Sequence, residues 1–201
     1  YMTQGARFAA AICILDLFLR GEPLNKALLS WFRNNRFAGS KDRKAITELV
    51  YNCIRFKRSS LWPFIRAGMS DCGRNLLLGL LTQNNLSRLN FFDGSKFAPQ
   101  PLSSKEQAVI KSFRGVISKA PSPVRLDHPD FLEDLLRCSL GFSYEAALES
   151  LNTRAKLFLR VNAIKCNIDD AIDLLENEKV RSIRCRNASN SLLILDRVRN
   201  I

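Results

Sequence analysis

The chain has 201 residues, 46% hydrophobic and 25% charged, which suffices for one core of moderate size or two small ones; no window approaches the roughly 18 consecutive apolar residues that would span a membrane. The formal net charge of +12 sits entirely in the first part: residues 1–120 hold 19 Lys/Arg against 7 Asp/Glu, and residues 121–201 hold 12 of each. Such asymmetry points to a polyanionic partner and carries no information about fold.

The N-terminus, YMTQGARFAA, lacks the basic-then-apolar layout of a secretory signal, so a cytoplasmic protein is expected. Six cysteines are spaced irregularly with no C-x-x-C pair, and His128 is the single histidine. That pattern argues against a disulfide scaffold and against a Cys/His zinc site. Reduced thiols are expected, with Cys13 and Cys53 as small core residues.

In chain order, Phe8, Ile12, Leu15 and Leu19 follow the spacing of a buried helix face, which Gly21 ends. Pro23 opens a second helix with Leu24, Leu28 and Trp31 inward. RFAGSKDRKAITELVYNCIRFKRSS, residues 36–60, reads as a turn followed by one unbroken helix, with Ser40 as N-cap and Ile46, Leu49, Val50 and Cys53 as its inner stripe. SLWPFIRAG and NLLLGLLTQ follow; the second is apolar nearly all round and belongs at the centre of a bundle. FFDGSKFAPQP reads as a loop. Ser103 and Glu106 form a capping box ahead of Val109, Ile110, Phe113, Val116 and Ile117.

About six helices in the first 120 residues predict an all-α bundle. KAPSPVRLDHP, with three prolines, is the expected boundary. Helices are expected around Phe131–Cys138 and Tyr144–Leu151. Then LFLRVNAI reads as a strand, NIDDAIDLLENE as a helix with acids in its first turn, and VRSIRC and SLLILDRV as strands around an Asn-Ser turn. The fold class is therefore mainly α: a helical bundle followed by a small β-α-β-β segment. Three strands and one helix bury little and leave an edge open, so more chain is expected to follow.

On the third helix Lys44, Glu48, Tyr51, Arg55 and Arg58 fall within roughly an 80° sector facing away from Leu49 and Cys53. Arg36, Lys41 and Arg43 cluster at its start and Lys57 lies near its end. Cations about one turn apart suit a phosphate backbone, and Tyr51 offers a ring on which a base stacks. A merely solvated face is the plainer alternative, but one acid cannot neutralise the row. Asp42, near the apolar side in the first turn, suits a structural role at the helix dipole.

Catalytic constellations are missing from the sequence. The nine glycines are dispersed, with no G-x-G-x-x-G and no P-loop, and no serine sits in a G-x-S-x-G elbow. His128 precedes Pro129 at a helix entrance, where packing is the expected role. The carboxylates at 130–149 and 169–178 read as solvated helix faces. Catalytic, cofactor-binding and metal-binding residues are thus all expected to be absent.

RFAGSKDRKAITELVYNCIRFKR, at 36–58, resembles the RsmB/Sun (Fmu) family of RNA cytosine-C5 methyltransferases, through the Asp-Arg of SKDRKAI followed by LVYNCIR. HPDFLEDLL at 128–136, and LFLRVNAIK at 157–165 with its DAIDLLE helix, resemble further blocks in the family's order. The resemblance implies a NusB-like helical RNA-binding domain at 1–120, a linker at 121–127 and a small α+β connecting domain at 128–201 that stops before a Rossmann-type catalytic domain using S-adenosylmethionine. It also implies an RNA partner, ribosomal in kind, and contact with the protein's own catalytic domain, in a monomer without membrane attachment. In the family, cysteines in Pro-Cys and Thr-Cys contexts act on the base. Here the six cysteines follow Ile12, Asn52, Asp71, Arg137, Lys165 and Arg184, so no catalytic residue carries over, and Arg160–Asn162 matches only as a structural block. The competing readings are a stand-alone NusB-like RNA-binding adaptor and a helix-turn-helix DNA binder, for which RNNRFAGSKDR is too long a turn.

Overall fold

The computed structural model describes residues 2–195. They divide between Asn152 and Thr153 into two compact units, with ten α-helices and three strands among the described residues.

In the first unit α1 spans Gln4–Leu19, opened by the Thr3 hydroxyl, which accepts the Ala6 N–H at 3.2 Å. Phe8, Ala11, Ile14 and Leu15 are its buried residues, joined by Ala10 and Gly5; Ile12 packs against the core only in part. Cys13, expected inside, is exposed, because a helical period places it on the side of α1 opposite the buried Phe8, Ala11, Ile14 and Leu15. α2, Leu24–Asn34, follows Pro23 and buries Ala27 and Leu28.

α3, Ser40–Arg55, buries the expected stripe of Ile46, Leu49, Val50 and Cys53. Its N-cap is Gly39, one residue before the expected Ser40, which is ordinary scatter in helix bounds. The expected unbroken helix does not occur. At Phe56 (φ −106°, ψ 33°) the backbone leaves the helical region, and α4, Lys57–Arg66, sets off from there. The turn lets Leu61 and Phe64 of α4 reach the same core as the α3 stripe.

α5, Gly73–Asn84, is the centre of the bundle, with Leu76, Leu77 and Leu78 fully buried. Each contributes about 1.5–3 kcal/mol relative to exposure. Two glycines let neighbours approach: a Cβ on Gly79 would lie 2.1 Å from the Ser60 carbonyl oxygen of α4, and one on Gly73 would lie 2.5 Å from the Ile12 carbonyl oxygen of α1. After a 3-10 turn at Leu86–Phe91, the loop leads to α6, Ser104–Ile117. The capping box forms as expected, Ser103 Oγ accepting the Glu106 N–H and the Glu106 carboxylate accepting the Ser103 N–H.

The proline-rich segment carries a short helix, α7 (Ser122–Arg125), whose Pro123 and Val124 are buried. A 3-10 turn at Asp130–Leu132 leads into α8, Glu133–Leu140, in place of one helix from Phe131. α9 spans Tyr144–Leu151. The 130–149 acids are not all solvated: Glu133 accepts from the Tyr144 hydroxyl and from Arg137, and lies 3.0 Å from His128 Nε2.

In the second unit β1 (Leu157–Arg160), α10 (Ile168–Asn177), β2 (Ser182–Arg184) and β3 (Ser191–Ile194) follow in the expected order. The Asn167 side chain caps α10 by accepting the Asp170 N–H at 2.8 Å. Both pairings are antiparallel with β3 in the middle, Leu159 opposite Leu192 and Ile183 opposite Leu193. One sheet face, through Leu192 and Ile194, packs with Leu175 and Val180.

Candidate nucleic-acid interface

The expected contact residues occupy the start of α3, its outer face and the start of α4. Asp42 anchors the first turn of α3. It is buried, accepts Arg7 Nε at 2.9 Å and the Met2 N–H at 3.4 Å, and pairs with Arg7 Nη2 at 2.7 Å. Burial works to raise its pKa; the hydrogen bonds from Arg7 and Met2 outweigh that and hold the carboxyl below its usual range. Asp42 is therefore structural, and its pairing with Arg7 leaves the neighbouring cations of α3 uncompensated by it.

The cations themselves differ in setting. Arg36 and Lys41 are exposed, and Lys44 and Arg55 are half-buried. Arg43 is fixed: its Nε donates to the Ala38 carbonyl at 2.7 Å and its guanidinium lies 5.4 Å from the Phe32 ring centroid. The Arg55 Nη1 donates to Asn52 Oδ1 at 3.2 Å. Tyr51 is 42% exposed, and its hydroxyl donates to Asn25 Oδ1 at 2.8 Å, which holds the ring in place. Lys57 Nζ sits 5.7 Å from the Phe18 ring centroid.

Arg58 does something the sequence sector did not show. With α4 turned away at Phe56, its guanidinium donates to the His128 carbonyl and to both oxygens of Asp130, at 2.9 and 2.7 Å. Next to it Asp127 Oδ1 accepts the Ser59 N–H at 2.8 Å in the first turn of α4. Burial pushes the Asp127 carboxyl up to about 6, against the lowering pull of the Ser59 hydrogen bonds and Arg58. Arg58 and Asp127 thus tie the start of α4 to residues 127–130, and Arg58 is a tether as well as a surface cation.

Beside this tether is a cleft of about 720 Å³ lined by Leu61, Trp62, Ile65, Val124, Pro129 and Phe131, with Lys57, Arg58, Asp71 and Asp130 at its edges. His128 is buried, with Nε2 2.7 Å from the Tyr144 hydroxyl and Nδ1 3.0 Å from the Pro129 carbonyl, so both ring nitrogens are engaged in packing. Burial pushes the Cys53 thiol well up, away from the thiolate a nucleophile needs. No cluster of metal-ligating side chains occurs among the described residues, and no helix there is long and apolar enough to cross a membrane. The residues do not fit S-adenosylmethionine: the three strands are antiparallel, so they offer no crevice at the carboxyl ends of parallel strands, and the one buried side-chain polar atom without a partner, among those described, is Ser182 Oγ.

A basic helical unit joined to a split β-α-β-β unit is the class of protein these features define. Residues 128–200 match the family model for the ferredoxin-like domain of RsmF/B-like methyltransferases. That stretch contains the blocks at 128–136 and 157–165 on which the resemblance rested. The solved structure of a protein called PH0851 has the same fold, with 15% identity and a TM-score of 0.52, over 99% of this chain and 50% of PH0851. The chain therefore spans half the length of that protein. No curated protein matches it.

Proposed function

We propose that this chain is the RNA-binding region of an S-adenosylmethionine-dependent rRNA (cytosine-C5) methyltransferase, a cytoplasmic monomer whose catalytic domain lies outside these residues. A NusB-like helical domain at 1–120, a linker at 121–127 and a connecting domain from 128 divide the labour. The observation that carries this reading is the pairing of the family's ferredoxin-like domain, at 128–200, with a preceding unit that holds the whole charge excess. Arg36, Lys41, Arg43, Lys44, Arg55 and Lys57 bind phosphates, Tyr51 stacks on a base, and Arg58 divides its charge between RNA and Asp130. Electrostatic capture orients the RNA, while choice of the target cytosine belongs to the whole enzyme.

A salt titration tests this. Affinity for a structured ribosomal RNA fragment should fall steeply as salt rises, and Lys44→Glu with Arg55→Glu should weaken binding by about tenfold or more while lessening the salt slope. Arg58 is left intact, because its substitution would also release residues 128–130. Equal affinities and slopes for the two proteins would remove this surface from the reading.

A further inference from the structure

Between the 3-10 turn and α6 lies a loop, residues 92–103, that the reading above does not use. It is held in one shape from several sides. The Gly94 N–H donates to the Pro99 carbonyl at 3.0 Å and the Ala98 N–H to the Ser95 carbonyl at 2.8 Å. Arg74 of α5 donates to the Gln100 and Pro101 carbonyls, both at 3.0 Å, while its Nε pairs with Glu106 at 2.6 Å. Ala98 is pressed onto α1 so closely that a Cβ on Gly5 would lie 2.6 Å from its own.

Within this clamped loop Phe97 has φ +70°, the left-handed region that an aromatic residue rarely adopts. The strained residue is nevertheless 72% exposed. No core contact is gained in return for the strain; the conformation aims a large ring at solvent. Lys96 Nζ stands 5.3 Å from the ring centroid. Asp42, which accepts from Met2 and Arg7 at the same end of α1, lines a depression of about 360 Å³ with Gly39, Ser40, Lys41 and Phe37, and Phe37 is 71% exposed. Two exposed aromatic rings are thus linked to the N-terminal turn of α1, Phe97 through its neighbour Ala98 against Gly5 and Phe37 through the depression it shares with Lys41 and Asp42.

We propose that Phe97 and Phe37 are stacking platforms for unpaired bases, so that the RNA crossing the α1 N-terminal turn is single-stranded there. This rests on the RNA-binding reading and names the form of RNA. An exposed ring beside a cation suits a nucleotide, which brings a π-face and a phosphate together. A duplex presents no free base face, and its bases stay stacked on one another. An apolar protein surface would have to desolvate Lys96 and Lys41 on docking.

The test compares the 201-residue chain with its Phe97→Gly, Phe97→Trp and Phe37→Ala variants, using a labelled oligoadenylate of about eight nucleotides and a blunt RNA duplex of similar length. Glycine accepts φ +70° without strain, so Phe97→Gly keeps the loop and should match or exceed the wild type in thermal midpoint. It should nevertheless lose roughly tenfold in oligoadenylate affinity, with duplex affinity unchanged. Phe97→Trp should keep the affinity and show emission quenched by the oligomer, and Phe37→Ala should lose a comparable factor. Oligoadenylate affinity unaltered by Phe97→Gly and Phe37→Ala, with no quenching of the Phe97→Trp emission, overturns the proposal and leaves a protein partner as occupant of the rings. Where Lys44→Glu with Arg55→Glu still weakens binding, that result sinks the stacking proposal alone; where neither set matters, the RNA-binding reading falls too.

Discussion

Asp127 offers the sharpest quantitative test of how the start of α4 is held. Its carboxylate is largely withdrawn from water, with Oδ1 accepting the Ser59 N–H at 2.8 Å, and burial raises its pKa from an ordinary 3.8 to about 6. A folded-state pKa above the unfolded one means that the native protein holds the proton more tightly. The associated stability is therefore complete below pH about 4 and is lost as pH rises through about 6. Each tenfold in proton affinity corresponds to about 1.4 kcal/mol, so the full span is about 3 kcal/mol. Asp127→Asn removes the charge, keeps a carbonyl oxygen for the Ser59 N–H, and tolerates the φ of +55° found there.

The variant should match the wild type near pH 4 and exceed it by up to about 3 kcal/mol at pH 7.5. Urea unfolding followed by tryptophan fluorescence reads this, since both tryptophans, Trp31 and Trp62, lie in residues 1–152. Asp42 and Glu106, whose pKa values are lowered, titrate alike in both proteins and drop out of the difference. A difference that stays flat between pH 4 and 7.5 would refute the argument. A variant less stable at pH 7.5 would show instead that attraction to Arg58 exceeds the cost of burial.

Gly79→Ala should destabilise by about 2 kcal/mol or more in the same assay, because the added Cβ meets the Ser60 backbone at 2.1 Å and two helices must part; a neutral result would mean that α4 and α5 separate easily. Asp42→Ala should cost about 2 kcal/mol at pH 7 by stranding Arg7 and the Met2 N–H. Because the Asp42 carboxyl is held below 3.8, its contribution is present above that pH and is lost on acidification, so wild type and variant should converge toward pH 2 in urea unfolding. Parallel curves would show that the pair is energetically idle.

The helical bundle and the β-α-β-β order were legible because local patterns carried them. The α3 stripe, the Ser103–Glu106 capping box, the all-round apolar α5 and the Asn167 cap each depend on residues within one or two turns. The basic face of α3 was legible for the same reason, since a helical period places Lys44, Tyr51 and Arg55 on one side whatever packs on the other.

What the sequence could not settle were the points where distant segments meet. Phe56 sits amid a helical pattern, yet the backbone turns there so that α4 can share the core with α3, and that turn assigns Arg58 to His128 and Asp130. Turn formers around Phe97 announced a loop, but not its left-handed backbone or the outward ring, which depend on Ala98 closing onto Gly5 and on Arg74 reaching across from α5. Spacing along one helix determines which residues share a face; whether that face meets water, a core or another segment's carbonyl is decided by contacts between residues tens of positions apart, which only the folded chain brings within reach.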